Sequence, residues 1–136
     1  MMTRRLALQS LAGLGLLAGT SFRAIAASTH TYEISYSDDE WKKRLSPAQY
    51  KVLRQAGTER PYSSPLNSEH RKGIFACAGC DLDLYSSKTK FESGTGWPSF
   101  WQPLEKAVGT EEDTSYGMVR SAVHCSRCGG HLGHVF

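Results

Sequence analysis

The sequence has 136 residues, a length that is enough for one globular domain and too short for several. Its formal net charge is +3 and its hydrophobic fraction is 40%. Three of its 16 basic residues and none of its 13 acidic residues lie in the first 26 positions, so residues 27–136 carry 13 side chains of each sign. This balance excludes a typical nucleic-acid-binding protein, because such proteins present a cationic patch or stripe.

Residues 1–26 have the composition of a secretory signal peptide. Residues 3–6 (TRRL) provide a basic start, residues 6–19 are mostly apolar, and residues 24–26 (AIA) form a small-residue cleavage site. The apolar run is shorter than the roughly 20 residues that cross a bilayer as a helix, so we expect no stable membrane anchor. The TRRL segment is similar to a twin-arginine export signal, although paired arginines also occur in other signal peptides. We therefore predict an exported, periplasmic protein.

Two short helices are predicted after a polar lead-in at residues 27–36. Residues 37–45 (SDDEWKKRL) begin with a serine and three acidic residues, which favour the positive end of a helix. Trp41 and Leu45 are four positions apart, so they share one face of this helix, which we expect to be buried.

The second helix is marked at both ends. In residues 46–57 (SPAQYKVLRQAG), Ser46 is the predicted N-cap, a proline follows at the first helical position, and Gln49 completes a capping box. Gly57 is the predicted stop signal, because glycine commonly follows the last turn of a helix.

The hydrophobic pattern changes after a loop rich in proline and serine. Four later segments are short, β-branched or aromatic, and bounded by glycines and turn residues: 73–77, 82–87, 116–125 and 131–136. Residues 111–113 (EED) are predicted to form a solvated turn and not a metal site, because they lack the ligand spacing of a calcium loop. Two helices followed by strands, without βαβ spacing, predict an antiparallel β domain with an N-terminal helical cap.

The four cysteines occur as two Cys-x-x-Cys turns, Cys77 with Cys80 and Cys125 with Cys128. Two such turns make a tetrahedral zinc site with four cysteine ligands, which is our main prediction. Two disulfides are an alternative, since exported proteins often contain them. A thioredoxin-like redox pair is a third, although neither turn lies between a strand and a helix as that motif requires. Zinc-bound thiolates are poor nucleophiles, so the zinc prediction leaves no cysteine for chemistry.

Four segments together resemble the B-type methionine sulfoxide reductases, the peptide-methionine (R)-S-oxide reductases. They are residues 46–67, 73–80 (GIFACAGC), 90–104 (KFESGTGWPSFWQPL) and 115–136 (SYGMVRSAVHCSRCGGHLGHVF). The resemblance extends from about Trp41 to Phe136. It implies a mainly β fold of two antiparallel sheets with short N-terminal helices, held together by a four-cysteine zinc site remote from the active site. It also implies reduction of methionine-R-sulfoxide in oxidised proteins, with thioredoxin or another thiol as reductant.

The resemblance also implies particular site residues. Trp97 would be the apolar wall that holds the S-methyl group of the substrate, with Phe100 helping, while His131 and His134 would orient water or donate a proton. From the pattern alone, residues three apart on a regular strand face opposite sides of a sheet. Gly133 would allow a bulge that turns both histidines the same way, so joint action of the pair is one option and independent roles are the other.

The chain departs from the family pattern at the redox cysteines. In that family the nucleophilic cysteine lies downstream of the strand that matches residues 131–136, and many relatives have a resolving cysteine at the position of Thr95. Residues 37–136 are therefore predicted to be a reductase domain whose C-terminal part is missing, inactive as written. The alternatives are an exported zinc-containing binding module without activity, and a redox carrier that uses a Cys-x-x-Cys pair.

Overall fold

The computed structural model describes residues 30–136 of the chain. The predicted signal peptide, its cleavage site and the first residues of the lead-in lie outside this range. Among the described residues, no helix combines the length and the apolar character needed to cross a bilayer. These residues form two α-helices, followed by seven short strands that are connected by turns and 3-10 helices.

The two predicted helices are confirmed: α1 spans Asp38–Arg44 and α2 spans Pro47–Gln55. The serine before each helix accepts a hydrogen bond from the backbone N–H of the residue three positions later, which is Glu40 in α1 and Gln49 in α2. The side chain of that residue accepts a hydrogen bond from the serine N–H in return. These capping boxes satisfy backbone donors that a helix start leaves open, so both short helices begin at defined positions.

The end of α2 differs in detail from the prediction. The residue in the left-handed region is Ala56, with a φ of 51°, and not Gly57. Gly57 is needed for another reason. Its N–H donates to the carbonyl of Lys51 over 2.9 Å, and a Cβ at this position would lie 2.7 Å from the same oxygen. The glycine therefore permits a close approach of two backbone segments.

The seven strands are β1 Ile74–Ala76, β2 Asp83–Ser86, β3 Lys90–Phe91, β4 Ser99–Phe100, β5 Val108–Asp113, β6 Arg120–Cys125 and β7 His131–Val135. They form three small antiparallel sheets: β1 with β2, β3 with β4, and a three-stranded sheet in the order β5, β6, β7. The mainly β class is confirmed. The structure has three sheets and not the predicted two, because within residues 30–136 β3 and β4 pair with each other and with no further strand.

Residues 111–113 belong to β5 and are not a turn, which corrects the prediction. β5 pairs with β6 without a bulge, from Val108 opposite Cys125 to Asp113 opposite Arg120. Within residues 30–136, the other edge of β5 has no strand partner. Charged side chains are common on such edges because they discourage pairing with another chain, and this is why an edge strand can have the composition of a turn.

The strand predicted at residues 116–125 begins later, at Arg120. Ser115–Gly117 form a 3-10 turn instead, with left-handed φ values of 57° at Tyr116 and 69° at Gly117. Extended strand backbone has negative φ, so these residues do not continue β6. They close the hairpin between β5 and β6.

The core is small and is built around the cysteines. Trp41 and Leu45 are 2% and 6% exposed, so both are buried as the sequence predicted. Cys77, Cys125 and Cys128 are the largest fully buried side chains in the described part of the chain. The other buried members of this cluster are Leu53, Leu84 and Ala107. Both helices therefore cover the two Cys-x-x-Cys turns.

The end of the lead-in packs on this core as an extended segment. Tyr32, Ile34 and Tyr36 are half-buried and alternate with exposed residues. The N–H of Ile34 donates to the carbonyl of Arg127 over 3.0 Å, and the ring of Tyr36 meets Trp41 edge-on at 4.9 Å. This segment thus lies beside the second Cys-x-x-Cys turn.

Candidate functional site

The four cysteine sulfurs lie in one cluster. The Sγ atoms of Cys77 and Cys128 are 3.7 Å apart, those of Cys80 and Cys125 are 3.5 Å apart, and all four lie within 4.8 Å of one another. Sulfurs bound to a tetrahedral zinc at about 2.3 Å would be about 3.8 Å apart, whereas a disulfide needs about 2.05 Å. None of the four cysteines forms a disulfide, and the arrangement of their sulfurs fits a metal ion.

The two Cys-x-x-Cys turns have the same backbone geometry. The carbonyl of the first cysteine accepts a hydrogen bond from the residue four positions later, Asp81 after Cys77 and Gly129 after Cys125, over 2.9 Å in each turn. These two residues have left-handed φ values of 59° and 71°. The backbone therefore reverses tightly in both turns, and each turn presents its two sulfurs to the common cluster.

Hydrogen bonds and burial within the cluster shift the pKa values of the thiols in different directions. The pKa of Cys77 is lowered to about 5, mainly because the Cys128 thiol donates to its sulfur. The same hydrogen bond raises the pKa of Cys128, and burial raises the pKa of Cys80 to about 11. Without a cation only part of the cluster ionises, so the binding of a metal ion would release the remaining protons.

Two arginines join the cluster to its surroundings. Arg54 on α2 donates to the carbonyl of Cys128 over 3.0 Å, and its guanidinium carbon lies 4.6 Å from the ring centroid of Trp41. Arg127 donates to the carbonyl of Cys80 over 3.4 Å, which connects the second turn to the first. Four thiolates around a divalent ion leave a net charge of about −2, so two nearby cations suit an occupied site.

A bulge brings His131 and His134 to one face of the three-stranded sheet. Two successive residues of β6 lie opposite Gly133 and His131, which are two positions apart on β7. Leu132, between them, is therefore an extra residue. Gly133 has a φ of 149°, and the two imidazole centroids are 5.2 Å apart in an edge-to-face arrangement. One extra residue places positions three apart on the same side. Burial, followed by the charge of His134, lowers the pKa of His131.

A carboxylate that the sequence analysis missed contacts His134. The Nε2 of His134 lies 2.7 Å from the Oδ2 of Asp113, the last residue of β5. The same oxygen accepts a hydrogen bond from Arg120 over 2.6 Å, and Oδ1 accepts one from the backbone N–H of Ser115 over 2.9 Å. These contacts lower the pKa of Asp113, and the hydrogen bonds from Ser115 contribute most. The side chain of His134 is 13% exposed, so the contact is largely shielded from water.

Trp97 is held in the turn that precedes β4. Its indole N–H donates to the carbonyl of Glu59 over 2.8 Å. The carbonyl of the neighbouring Gly96 accepts hydrogen bonds from the N–H of Tyr62 over 2.7 Å and from the side-chain amide of Asn67 over 2.6 Å. Gly96 has a φ of 88°, and a Cβ there would lie 2.9 Å from the Tyr62 ring. The preceding loop therefore fixes the position of the indole.

Phe100 belongs to an aromatic cluster between two of the sheets. Its ring stacks on Tyr85 at a centroid distance of 4.4 Å and meets Phe75 edge-on at 4.9 Å. The structure thus brings the two predicted histidines into direct contact with each other. Trp97 and Phe100 flank the start of β4, three positions apart, and each is fixed by contacts of its own.

Comparisons with known proteins agree on one family. Residues 45–136 match the model of the SelR domain. The peptide methionine sulfoxide reductase MsrB of Leptospira interrogans is 52% identical over 106 residues, which cover 77% of this chain and 81% of the relative. The MsrB of Methanosarcina barkeri is 58% identical over 104 residues, covering 76% and 73%. The MsrB of Pseudomonas entomophila is 56% identical over 99 residues, covering 72% and 76%.

Proposed function

The chain belongs to the SelR-domain family of peptide-methionine (R)-S-oxide reductases, and from this premise we propose how its residues serve the reduction of methionine-R-sulfoxide. In that reaction a cysteine thiolate attacks the sulfoxide sulfur, methionine leaves, and the oxygen remains on the cysteine as a sulfenic acid. A second thiol then forms a disulfide with release of water. The proposed substrates are oxidised proteins, and the proposed reductant is thioredoxin or another thiol.

The bulge on β7 is the observation that supports this function best. The sulfoxide oxygen needs a proton as its bond to the methionine sulfur breaks. A histidine is the side chain best suited to donate one near neutral pH. Because the bulge turns His131 and His134 to the same side with their rings in contact, both can act on one bound group. We assign proton donation to His134 and the orientation of water or substrate to His131.

We assign Trp97 as the apolar wall for the S-methyl group of the substrate. Its only polar atom is used by the carbonyl of Glu59, so the ring is fixed and its faces remain for apolar contact. Phe100, in the neighbouring aromatic cluster, would extend this apolar surface. Such a wall selects one epimer, because the sulfur is presented for attack in only one of them when the methyl group is docked.

We infer that the ion of the cysteine cluster is zinc with a structural role. An all-thiolate tetrahedral set is typical of structural zinc, which would link the two Cys-x-x-Cys turns and provide no redox chemistry. All four cysteines of the chain belong to this cluster. We therefore propose that a polypeptide of these 136 residues binds substrate and has no turnover.

Binding of the two substrate epimers tests the assignment. The zinc-loaded chain, labelled with ¹⁵N, is titrated with the R and S sulfoxides of N-acetylmethionine amide, and the indole N–H of Trp97 is followed by NMR. We expect the R epimer to shift this signal at lower concentration than the S epimer. For the variants, binding is measured by isothermal titration calorimetry, because Trp97→Phe removes the indole signal. Trp97→Phe should weaken R binding, while the control Trp101→Phe, at a residue that is 65% exposed, should not. Equal affinity for both epimers would contradict the proposed wall.

The position of the cysteines also favours a second function, a zinc-containing module that binds methionine sulfoxide without reducing it. An assay with dithiothreitol and the R epimer tests both proposals. Retained zinc and R binding without methionine formation would agree with the reductase domain without turnover and with the binding module alike. Methionine formation would contradict the proposed absence of turnover. Reversible dithiol oxidation without a tightly bound metal would instead support a redox carrier.

We also propose export to the periplasm, on the composition of residues 1–26. The twin-arginine route exports folded proteins, so the metal site would form before export. Fractionation of cells that express the chain should recover it from the periplasm, and Arg4→Lys with Arg5→Lys should retain it in the cytoplasm. Unchanged export of the double variant would contradict the twin-arginine route.

A further inference from the structure

We propose that Asp113 is a positioning residue for His134, and that it leaves Nδ1 as the ring atom through which His134 exchanges protons. The carboxylate occupies Nε2 on one side of the imidazole. Only the other nitrogen is then available to a ligand. The role of His134 in the reaction rests on the proposed function, whereas the orientation of its ring stands on the contacts alone.

The register of the three-stranded sheet places the carboxylate on the histidine face. Asp113 lies directly opposite Arg120, and Ala122, two residues further along β6, lies directly opposite His134. Residues directly opposite each other, and residues two apart on one strand, share a face of the sheet. Asp113 therefore reaches His134 diagonally across β6, from an edge strand to the strand two positions away.

Asp113 is itself fixed before it meets the imidazole. Its Oδ1 accepts the backbone N–H of Ser115, and its Oδ2 accepts an N–H of Arg120. The same terminal nitrogen of Arg120 also donates to the hydroxyl of Ser115 over 3.3 Å. The left-handed turn at Tyr116 lets the chain fold back so that Ser115 and Arg120 both face the carboxylate. A carboxylate that accepts one hydrogen bond on each oxygen has little freedom to rotate.

The ionisation state of Asp113 determines the tautomer of His134. Its contacts, above all those with Ser115, lower the pKa of Asp113, so at neutral pH the group is an anion that only accepts hydrogen bonds. The Nε2 of His134 must then carry the hydrogen. In neutral imidazole a single nitrogen is protonated, so Nδ1 is an acceptor, and in the imidazolium Nδ1–H is a donor.

This arrangement gives the proton transfer a defined direction. The imidazolium would pass its Nδ1 proton to the sulfoxide oxygen and become neutral, while its Nε2–H stays bound to Asp113. The carboxylate would remain ionised throughout and would hold the ring in place through its hydrogen bond with Nε2–H. Asp113 would therefore act only through His134 and would not touch the substrate.

The tautomer can be observed directly in the zinc-loaded chain. Long-range ¹H–¹⁵N correlation spectra at pH 8.5 or above distinguish protonated from unprotonated imidazole nitrogens, and loss of the signals in His134→Gln assigns them. We expect the Nε2–H form to exceed the Nδ1–H form by about ten to one or more, as a hydrogen bond to a charged group implies. A wild-type ring that is mainly Nδ1–H, or an even mixture, would overturn the proposal without any further variant.

Variants separate the carboxylate from general charge effects. Asp113→Ala removes the acceptor that the Nε2–H of His134 binds, so the excess of the Nε2–H form over the Nδ1–H form should fall about tenfold or more. Glu111→Gln removes one negative charge from the same face of β5 and should leave the tautomer unchanged. Persistence of the full Nε2–H excess in a folded Asp113→Ala chain would overturn the proposal. Loss of R-epimer selectivity with an intact tautomer would contradict the proposed function alone.

Discussion

His131 connects the bulge of β7 to the pH dependence of stability. Its ring is half-buried against His134, and burial lowers its pKa below the usual value of 6.5. Asp113 and Glu111 act in the opposite direction and Arg120 in the same direction, but their effects are smaller. The folded chain therefore takes up a proton at this ring less readily than the unfolded chain does.

We predict that this residue makes the protein less stable in mild acid. Well above pH 6.5 the ring is neutral in both states and has no effect on stability. As the pH falls below 6.5 the unfolded state binds the proton first, so the free energy of unfolding decreases until the folded pKa is passed. Urea unfolding at pH 8 and pH 5.5 should show a smaller loss for His131→Gln than for the wild type.

A second histidine variant controls for this measurement. His70 lies exposed in the loop before β1, so His70→Gln should show the same loss of stability as the wild type between the two pH values. If His131→Gln also matches the wild type, the ring does not titrate differently on folding and the prediction is wrong.

At the scale of the elements, β5 depends on one glycine to pair with β6. Gly109 lies opposite His124, which is 8% exposed and packs against His30 and Tyr32. A Cβ at position 109 would lie 2.5 Å from the Nε2 of His124, a distance that requires one of them to move. The buried imidazole therefore occupies the space that a side chain at position 109 would need.

We predict that Gly109→Ala lowers the free energy of unfolding by about 1–3 kcal/mol, as overpacking of a close-fitted site does. The matched control is Gly73→Ala, at an exposed glycine where a Cβ would meet nothing within 4 Å; its effect should be within about 0.5 kcal/mol. Equal effects of the two substitutions in denaturant unfolding would contradict this account of the β5–β6 pairing.

Local signals in the sequence were sufficient for the helices and insufficient for parts of the sheets. The capping boxes at Ser46 and before α1 involve residues three positions apart, so their physics is contained in a short segment. The edge strand β5 was missed because its charged composition resembles that of a turn. The contact of Asp113 with His134 joins residues 21 positions apart and depends on a register that no local pattern determines.

One missed element did have a local signal. In residues 31–36 (TYEISY), Tyr32, Ile34 and Tyr36 alternate with polar residues, and the structure buries the alternating set in part. This alternation is the pattern of a half-buried extended segment. The bulge at Leu132 was considered from Gly133, but only the pairing with β6 shows which residue is extra.

At the scale of the whole molecule, the cysteine cluster replaces much of a conventional hydrophobic core. Three of the ten buried hydrophobic residues in the described part of the chain are cysteines of this cluster. Both helices and the end of the lead-in pack around it. Small domains with so few buried side chains are commonly stabilised by a metal or by disulfides, and the sulfur separations favour the metal.

We predict that removal of the metal unfolds the domain. Structural zinc binding contributes about 10–16 kcal/mol in small zinc-dependent folds, which equals or exceeds the stability of most domains. A strong zinc chelator should therefore abolish the near-ultraviolet circular dichroism and the cooperative unfolding transition, and added zinc should restore both. A chain that keeps its transition midpoint after complete metal removal would show that the core is sufficient alone.

Native mass spectrometry tests most directly the central claim that four thiolates hold one metal ion and leave no free cysteine. Under non-denaturing conditions we expect each chain to carry a single zinc ion, and under acid denaturing conditions to have the mass of the fully reduced polypeptide with four thiols. A native mass without metal that is lower by four hydrogens would mean two disulfides and would contradict the account.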